Sequence, residues 1–260
     1  MTREHVSASF AETMTRCPET ARRVYVLGER QRPGAALIWG SADHAAHAVN
    51  FEQKVESWVD LPVSDVQDAF VDAVTAKVDE AGGEDEIEWG DETVAKVMDK
   101  GADLVATYHN EVSVSVQPIA VEQRLEVALP GVEVPVVAIL DVETELNVID
   151  RKTSARAEKK PKPQWGTQSM LYRALTGKPL DWHIVAKTGK VLTPEDSDDL
   201  HEPYSDALAP LVAKKLQHAL DLYNFCLTTY GPDEPWPDAM SHPWACGFCG
   251  FRPTCPWWAK

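Results

Sequence analysis

The chain contains no run of eighteen or more apolar residues, which excludes a transmembrane helix of ordinary length. Its opening residues, Met1-Thr2-Arg3-Glu4-His5, lack the apolar core of a secretory signal peptide. A cytoplasmic location with reduced thiols is therefore expected. Cysteine is scarce and odd in number, five in 260 residues, which speaks against a disulfide framework and for metal binding. Positive charge is also short. There are 25 Lys and Arg against 41 Asp and Glu, a net charge of −16. A uniformly basic surface that binds phosphates through bulk charge is thereby excluded. What remains is an ordinary apolar content of 44%, enough for one large domain or two small ones.

The charge is unevenly spread. Residues 52–104 hold 16 Asp and Glu against 4 Lys, whereas residues 151–162 hold Arg151, Lys152, Arg156, Lys159, Lys160 and Lys162 against Glu158 alone. The acidic segment reads as a solvated helical face. The basic strip reads equally as a solvated loop or as a local contact for a phosphate backbone.

Periodicity predicts helices first. Ser7 or Ser9 caps a helix over about Phe10 to Leu27, and a second runs from Gly40-Ser41 through Phe51. A third begins after Leu61-Pro62, with Val66, Phe70 and Val74 on one face, and a fourth spans Asp91 to His109. Strand patterns follow at Val121 to Leu129, Val134 to Val142 and Leu146 to Lys152. A helix over Gln164 to Leu175, a strand over Trp182 to Lys187 and a long helix over Pro203 to Tyr230 complete the order. The expectation is a single α/β domain over residues 1–260, with a small central mixed sheet, a helical insertion at about 52–110 and a cysteine-bearing tail over 244–260.

Two groups of residues carry chemistry. Asp141 ends one predicted strand and Asp150 lies in the next, and neighbouring strands sit about 4.8 Å apart. Two carboxylates so placed can share a hard cation such as Mg²⁺ or Mn²⁺. Lys152 is two residues beyond Asp150, so both side chains share a face of the strand. It is placed to stabilise charge on a phosphate or to orient an attacking water. The carbonyl of Arg151 is a further candidate ligand. The second group is Cys246, Cys249 and Cys255, a C-x2-C-x5-C cluster lacking one ligand. Cys17 supplies it if the chain ends meet, and His242 is the local alternative. The spacing alone leaves Zn²⁺ and an iron–sulfur cluster comparable. Trp244, Phe248, Phe251, Trp257 and Trp258 would shield such a site. Cys226, mid-helix, reads as a buried structural thiol.

Asp141 with Asp150-Arg151-Lys152 resembles the signature of the PD-(D/E)XK nuclease superfamily, in particular its RecB-type and Cas4-like iron–sulfur exonucleases. Gly40-Ser41-Ala42-Asp43-His44 is similar to that branch's G-x-x-x-H motif, and Gln168 to Tyr172 to its Q-x-x-x-Y motif. The Ser7-Ala8-Ser9 to Cys17-Pro18 start and the cysteine tail complete the likeness. Two positions depart from the pattern: Asp150 stands where many members carry Glu, and the glycine that often precedes the first Asp is absent. The resemblance implies a restriction-endonuclease-like core whose termini are stapled by a [4Fe–4S] cluster on Cys17, Cys246, Cys249 and Cys255, with Zn²⁺ the lesser alternative. It implies His44 as a metal ligand beside Asp141, Asp150 and the Arg151 carbonyl. It also implies DNA or active-site contacts through Gln168 and Tyr172, and the basic strip at Arg156, Lys159 and Lys160 beside them supports a DNA-facing role. The expected activity is a metal-dependent exonuclease of recombination, repair or phage DNA processing, acting on DNA with a free end. Alternatives are a DNA-trimming subunit in CRISPR spacer acquisition, or a non-catalytic iron–sulfur module that binds nucleic acid. A helicase, recombinase or integrase is the expected kind of protein partner.

Overall fold

A computed structural model of the protein describes residues 3–238, 246–247 and 249–258. His242, Trp244 and Phe248 lie outside the described residues. The N-terminal part is helical: α1 (Ala8–Arg16), α2 (Pro18–Tyr25), α3 (Ala35–Ser57), α4 (Val63–Ala81) and α5 (Val94–Glu111). Strands β1 (Ala120–Val127), β2 (Val136–Glu143) and β3 (Val148–Ser154) follow, then α6 (Gly166–Thr176), β4 (Leu180–Ala186), β5 (Lys190–Leu192), β6 (His201–Glu202) and α7 (Leu208–Tyr230). None of these helices is long and apolar enough to cross a membrane.

The single helix expected over 10–27 is two helices. Ser7 caps α1 by accepting from the Phe10 backbone N–H. Cys17 then adopts an extended conformation (φ −158°, ψ 102°), and Pro18 opens α2, where its missing N–H costs nothing. The stripe read for the third helix holds, with Val66, Phe70 and Val74 the buried residues of α4. β5 and β6 have three and two residues, too short for a periodic signal.

The six strands form one mostly antiparallel sheet in the order β1-β2-β3-β4-β5, with β6 pairing to β4. The β3–β4 pair alone is parallel. Each face carries its own core. On one, Phe10, Met14, Leu140, Leu171, Trp182 and Leu216 join α1, α6 and α7 to the sheet. On the other, Trp39, Phe51, Phe70, Val105, Val142 and Ile149 join α3, α4 and α5 to it. This mixed α/β arrangement fits a restriction-endonuclease-like fold. Cys226 is buried in α7, as its setting suggested.

The tail is held to α2 by a buried polar clamp. The Glu19 carboxylate accepts from both Arg22 and Arg23, and from the backbone N–H of Trp236 at 2.8 Å. Burial pushes the Glu19 carboxyl up, but these donors outweigh it and hold it below its ordinary value. Arg23 also donates to the carbonyl and hydroxyl of Thr254 at 2.8 and 2.7 Å.

Candidate functional site

The sheet splits where the chemistry was expected. β2 and β3 pair only at Val142↔Ile149 and Glu143↔Val148, and beyond that point they part. Asp141 and Asp150 stand at the opening. A split strand leaves a backbone donor needing a partner, and the Asp141 carboxylate accepts the Arg151 N–H at 3.0 Å. The split also twists β2: Leu140 packs in one core and Val142 in the other, although residues two apart normally share a face. Opposite, between the register pairs Val121↔Val142 and Gln123↔Leu140, lies Glu122, whose φ of 46° is left-handed.

His44 reaches the opening from α3. Gly40 lies one turn earlier on the same helix face, and a methyl there would sit 3.2 Å from Oγ1 of Thr153 on β3. The G-x-x-x-H spacing thus lets the helix lie close on the strand and aims the histidine past its edge. His44 Nδ1 is 3.3 Å from Asp141 Oδ2 and 4.0 Å from Glu122 Oε1, while Nε2 donates to the Arg151 carbonyl at 2.9 Å. His44, Glu122 and Asp141 each offer a ligand atom within 4.8 Å of the others. Burial lowers the His44 pKa, favouring the neutral imidazole that binds metals. Burial, with Asp141 nearby, raises the Glu122 carboxyl to about 7.

Asp150 is fully buried, and its Oδ2 has no hydrogen-bond partner. Lys152 Nζ lies 2.5 Å from its Oδ1, as the shared strand face predicted. Burial pushes the Asp150 carboxyl up even against that cation. Burial pulls the Lys152 amine down, but Asp150 and Asp141 more than offset this, so it stays charged. An orphaned buried carboxylate oxygen, an adjacent carboxylate pair and a neutral imidazole form a donor set suited to Mg²⁺ or Mn²⁺. Of the expected ligands, His44 and Asp141 belong to the tight group, and Asp150 is one strand away against Lys152. Glu122, which the sequence offers only as a residue behind the ligands and not as a ligand, joins the group. Its place in a strand pattern was legible, but its backbone turn toward Asp141 was not.

Arg151 does not belong to the basic strip. Its side chain is 2% exposed and faces α3, donating to the Asp43 carbonyl and carboxylate at 2.9 and 3.1 Å. Arg156, Lys159 and Lys160 are exposed on the loop after β3, with Lys160 3.2 Å from Asp199. His47 is wholly buried behind the site, 3.8 Å from Asp43. Gln168 donates to the Tyr172 hydroxyl at 2.7 Å, and that hydroxyl donates to the Ile139 carbonyl on β2. Both line a groove of 990 Å³ against Ser7, Ser9 and Thr13 of the α1 end.

Cys17, Cys246, Cys249 and Cys255 line one 110 Å³ cavity, together with Arg23, Phe251, Trp257 and Trp258. Burial, then the other three thiols, raises the Cys246 pKa. Phe251 is buried, whereas Trp257 and Trp258 remain 50% and 39% exposed.

No curated protein matches the chain. One solved structure, described as "Crystal structure of SSO0001", aligns over 93% of this chain and 95% of its own, at 12% identity and a TM-score of 0.38. The family model described as "PD-(D/E)XK nuclease superfamily" matches residues 5–256, a span that takes in the split strands, His44 and all four clustered cysteines. With acidic groups at the opening, a lysine against one of them and a match over nearly its whole length, the chain belongs to the PD-(D/E)XK nuclease superfamily.

Proposed function

We propose that this nuclease is a metal-dependent DNA exonuclease of the RecB-type, Cas4-like branch, acting on DNA with a free end. The observation that carries the reading is the split between β2 and β3, which sets Asp141, Asp150 and Lys152 around one opening within reach of His44. His44, Asp141, Asp150 and the Arg151 carbonyl would hold Mg²⁺ or Mn²⁺, with Glu122 as an added carboxylate. When bound, such an ion polarises a phosphate and eases ionisation of water. Lys152 contributes a fixed positive charge beside the opening, suited to orienting a water and countering charge on the phosphate. Gln168 and Tyr172 would position a strand in the groove beside α1, and Arg156, Lys159 and Lys160 would meet its backbone. The acid-rich α4 and the acidic segment that follows it would turn DNA away from their side.

The four thiols that share one cavity support a [4Fe–4S] cluster with a structural role, tying the tail to the elbow between α1 and α2. Helices α4 and α5 fit the reading of an insertion into a single nuclease domain.

The test is degradation of end-labelled linear and circular DNA, single- and double-stranded, with Mg²⁺ or Mn²⁺. The protein is purified without oxygen and compared with Lys152→Ala. Cleavage of linear DNA alone, lost in the variant, is expected. Cleavage of circles at the same rate would overturn the exonuclease assignment.

A further inference from the structure

Arg151 touches three residues of the site through three different groups. Its N–H donates to the Asp141 carboxylate, its carbonyl accepts from His44, and its guanidinium donates to both the carbonyl and the carboxylate of Asp43. Asp43 immediately precedes His44 on α3. We infer that the buried Asp43–Arg151 pair is a positioning device that holds His44 and the Arg151 peptide in register for the cation. The inference rests on the metal site proposed above.

The argument starts from cost. Asp43 and Arg151 are 1% and 2% exposed, and a buried ion pair adds little stability over apolar residues of the same shape. Its worth lies in what it orients. Successive residues of an α-helix point about 100° apart, so a helix that rolls on its axis carries His44 away from Asp141. Two hydrogen bonds from one guanidinium nitrogen, Nη2, to the backbone and side chain of Asp43 oppose that roll. The same guanidinium fixes the Arg151 peptide, whose N–H and carbonyl both face the opening.

The pair also has a built floor. The Arg151 guanidinium lies 5.2 Å over the Tyr108 ring on α5, and the Tyr108 hydroxyl bonds Nδ1 of His183 on β4 at 2.8 Å. His47 packs edge-on against the same ring, with centroids 4.6 Å apart. Burial raises the Tyr108 pKa and lowers that of His183 to about 3, so both stay neutral and leave the guanidinium its charge partner in Asp43. Helix α5 thereby supports the metal site without contacting it.

The experiment measures Mn²⁺ affinity by the resonance signal of free Mn²⁺, with thermal unfolding in parallel. Asp43→Leu/Arg151→Met replaces the pair with apolar side chains and leaves no unpaired charge. Its Mn²⁺ affinity is expected to fall about tenfold or more, the size of loss usual for partners that orient metal ligands. Leu216→Ala loosens the core on the other face of the sheet and leaves the pair untouched, and is expected to lose melting temperature while keeping wild-type affinity. Affinity that simply tracks melting temperature in both variants would overturn the inference, as would a double variant that binds Mn²⁺ like the wild type. Should the double variant not fold, Arg151→Lys retains a cation for Asp43 on a shorter side chain that ends one bond before Nη2, the nitrogen that makes both hydrogen bonds. Weakened Mn²⁺ binding supports the inference there, and wild-type binding overturns it. Asp141→Asn separates the two readings. A wild type that binds no better than Asp141→Asn overturns the metal site and the inference with it. Clear binding by wild type alone, matched by the double variant, overturns only the positioning role.

Discussion

Glu122 stands opposite Asp141 across the β1–β2 ladder, in a left-handed backbone conformation that costs a non-glycine residue about 1–3 kcal/mol. Two carboxylates are brought together there at the expense of backbone comfort. A cation held between them would relieve the repulsion.

The consequence is measurable with pH. The Glu122 carboxyl is raised from 4.5 to about 7, by burial first and then by Asp141. A raised folded-state value means the contribution is complete below about 4.5 and is lost as pH rises through about 7. The metal-free protein is therefore expected to melt lower at pH 8 than at pH 5.5, with Mn²⁺ restoring more at pH 8. Scanning calorimetry on wild type and Glu122→Gln checks this. An unchanged pH difference in the variant would remove Glu122 as its source.

Lys152→Met should lower kcat by about 10²-fold or more, the usual scale for losing one charge-stabilising donor. Mn²⁺ affinity should be retained or improved, because the Asp150 carboxylate loses its competing partner. Single-turnover kinetics at saturating metal separate the two effects.

Gly40→Val should weaken Mn²⁺ binding more than Gly40→Ala. Even a methyl would meet Oγ1 of Thr153 at 3.2 Å, so a larger side chain must lift α3 from β3 and take His44 with it. Mn²⁺ titration of the two variants provides the comparison, and equal affinity in both would show that the close approach is not needed.

Glu19→Gln leaves Arg22 buried without its counter-charge and Arg23 with the exposed Glu29 alone, which costs about 3–5 kcal/mol. The tail should become sensitive to limited proteolysis while the nuclease core persists. Cys249→Ala should lose iron colour and solubility together, and a soluble, colourless, fully active variant would sink the structural role of the cluster.

The sheet and its flanking helices were legible because Val66, Phe70 and Val74, and the apolar run through Val142, follow the periods of helix and strand. Strand alternation put Lys152 on the face of Asp150 and a neighbouring strand put Asp141 near them, but the family motifs were needed to single them out, and the parting of β2 and β3 beside them had no local sign. The break at Cys17 was hidden by helical patterning on both sides, with Pro18 its only local sign. Arg151 looked like one more cation in a basic strip. Alternation turns it inward, but its burial depends on Asp43, 108 residues earlier, and no local pattern reveals such a partner. Glu19 was missed likewise, because its donors come partly from the far end of the chain.

Cys17 is the elbow between two helices with different duties. α1 forms a wall of the groove beside Gln168 and Tyr172, and α2 carries the clamp for the tail. A change at the cavity of thiols is thereby coupled, through a single residue, to a wall of the groove at the other end of α1.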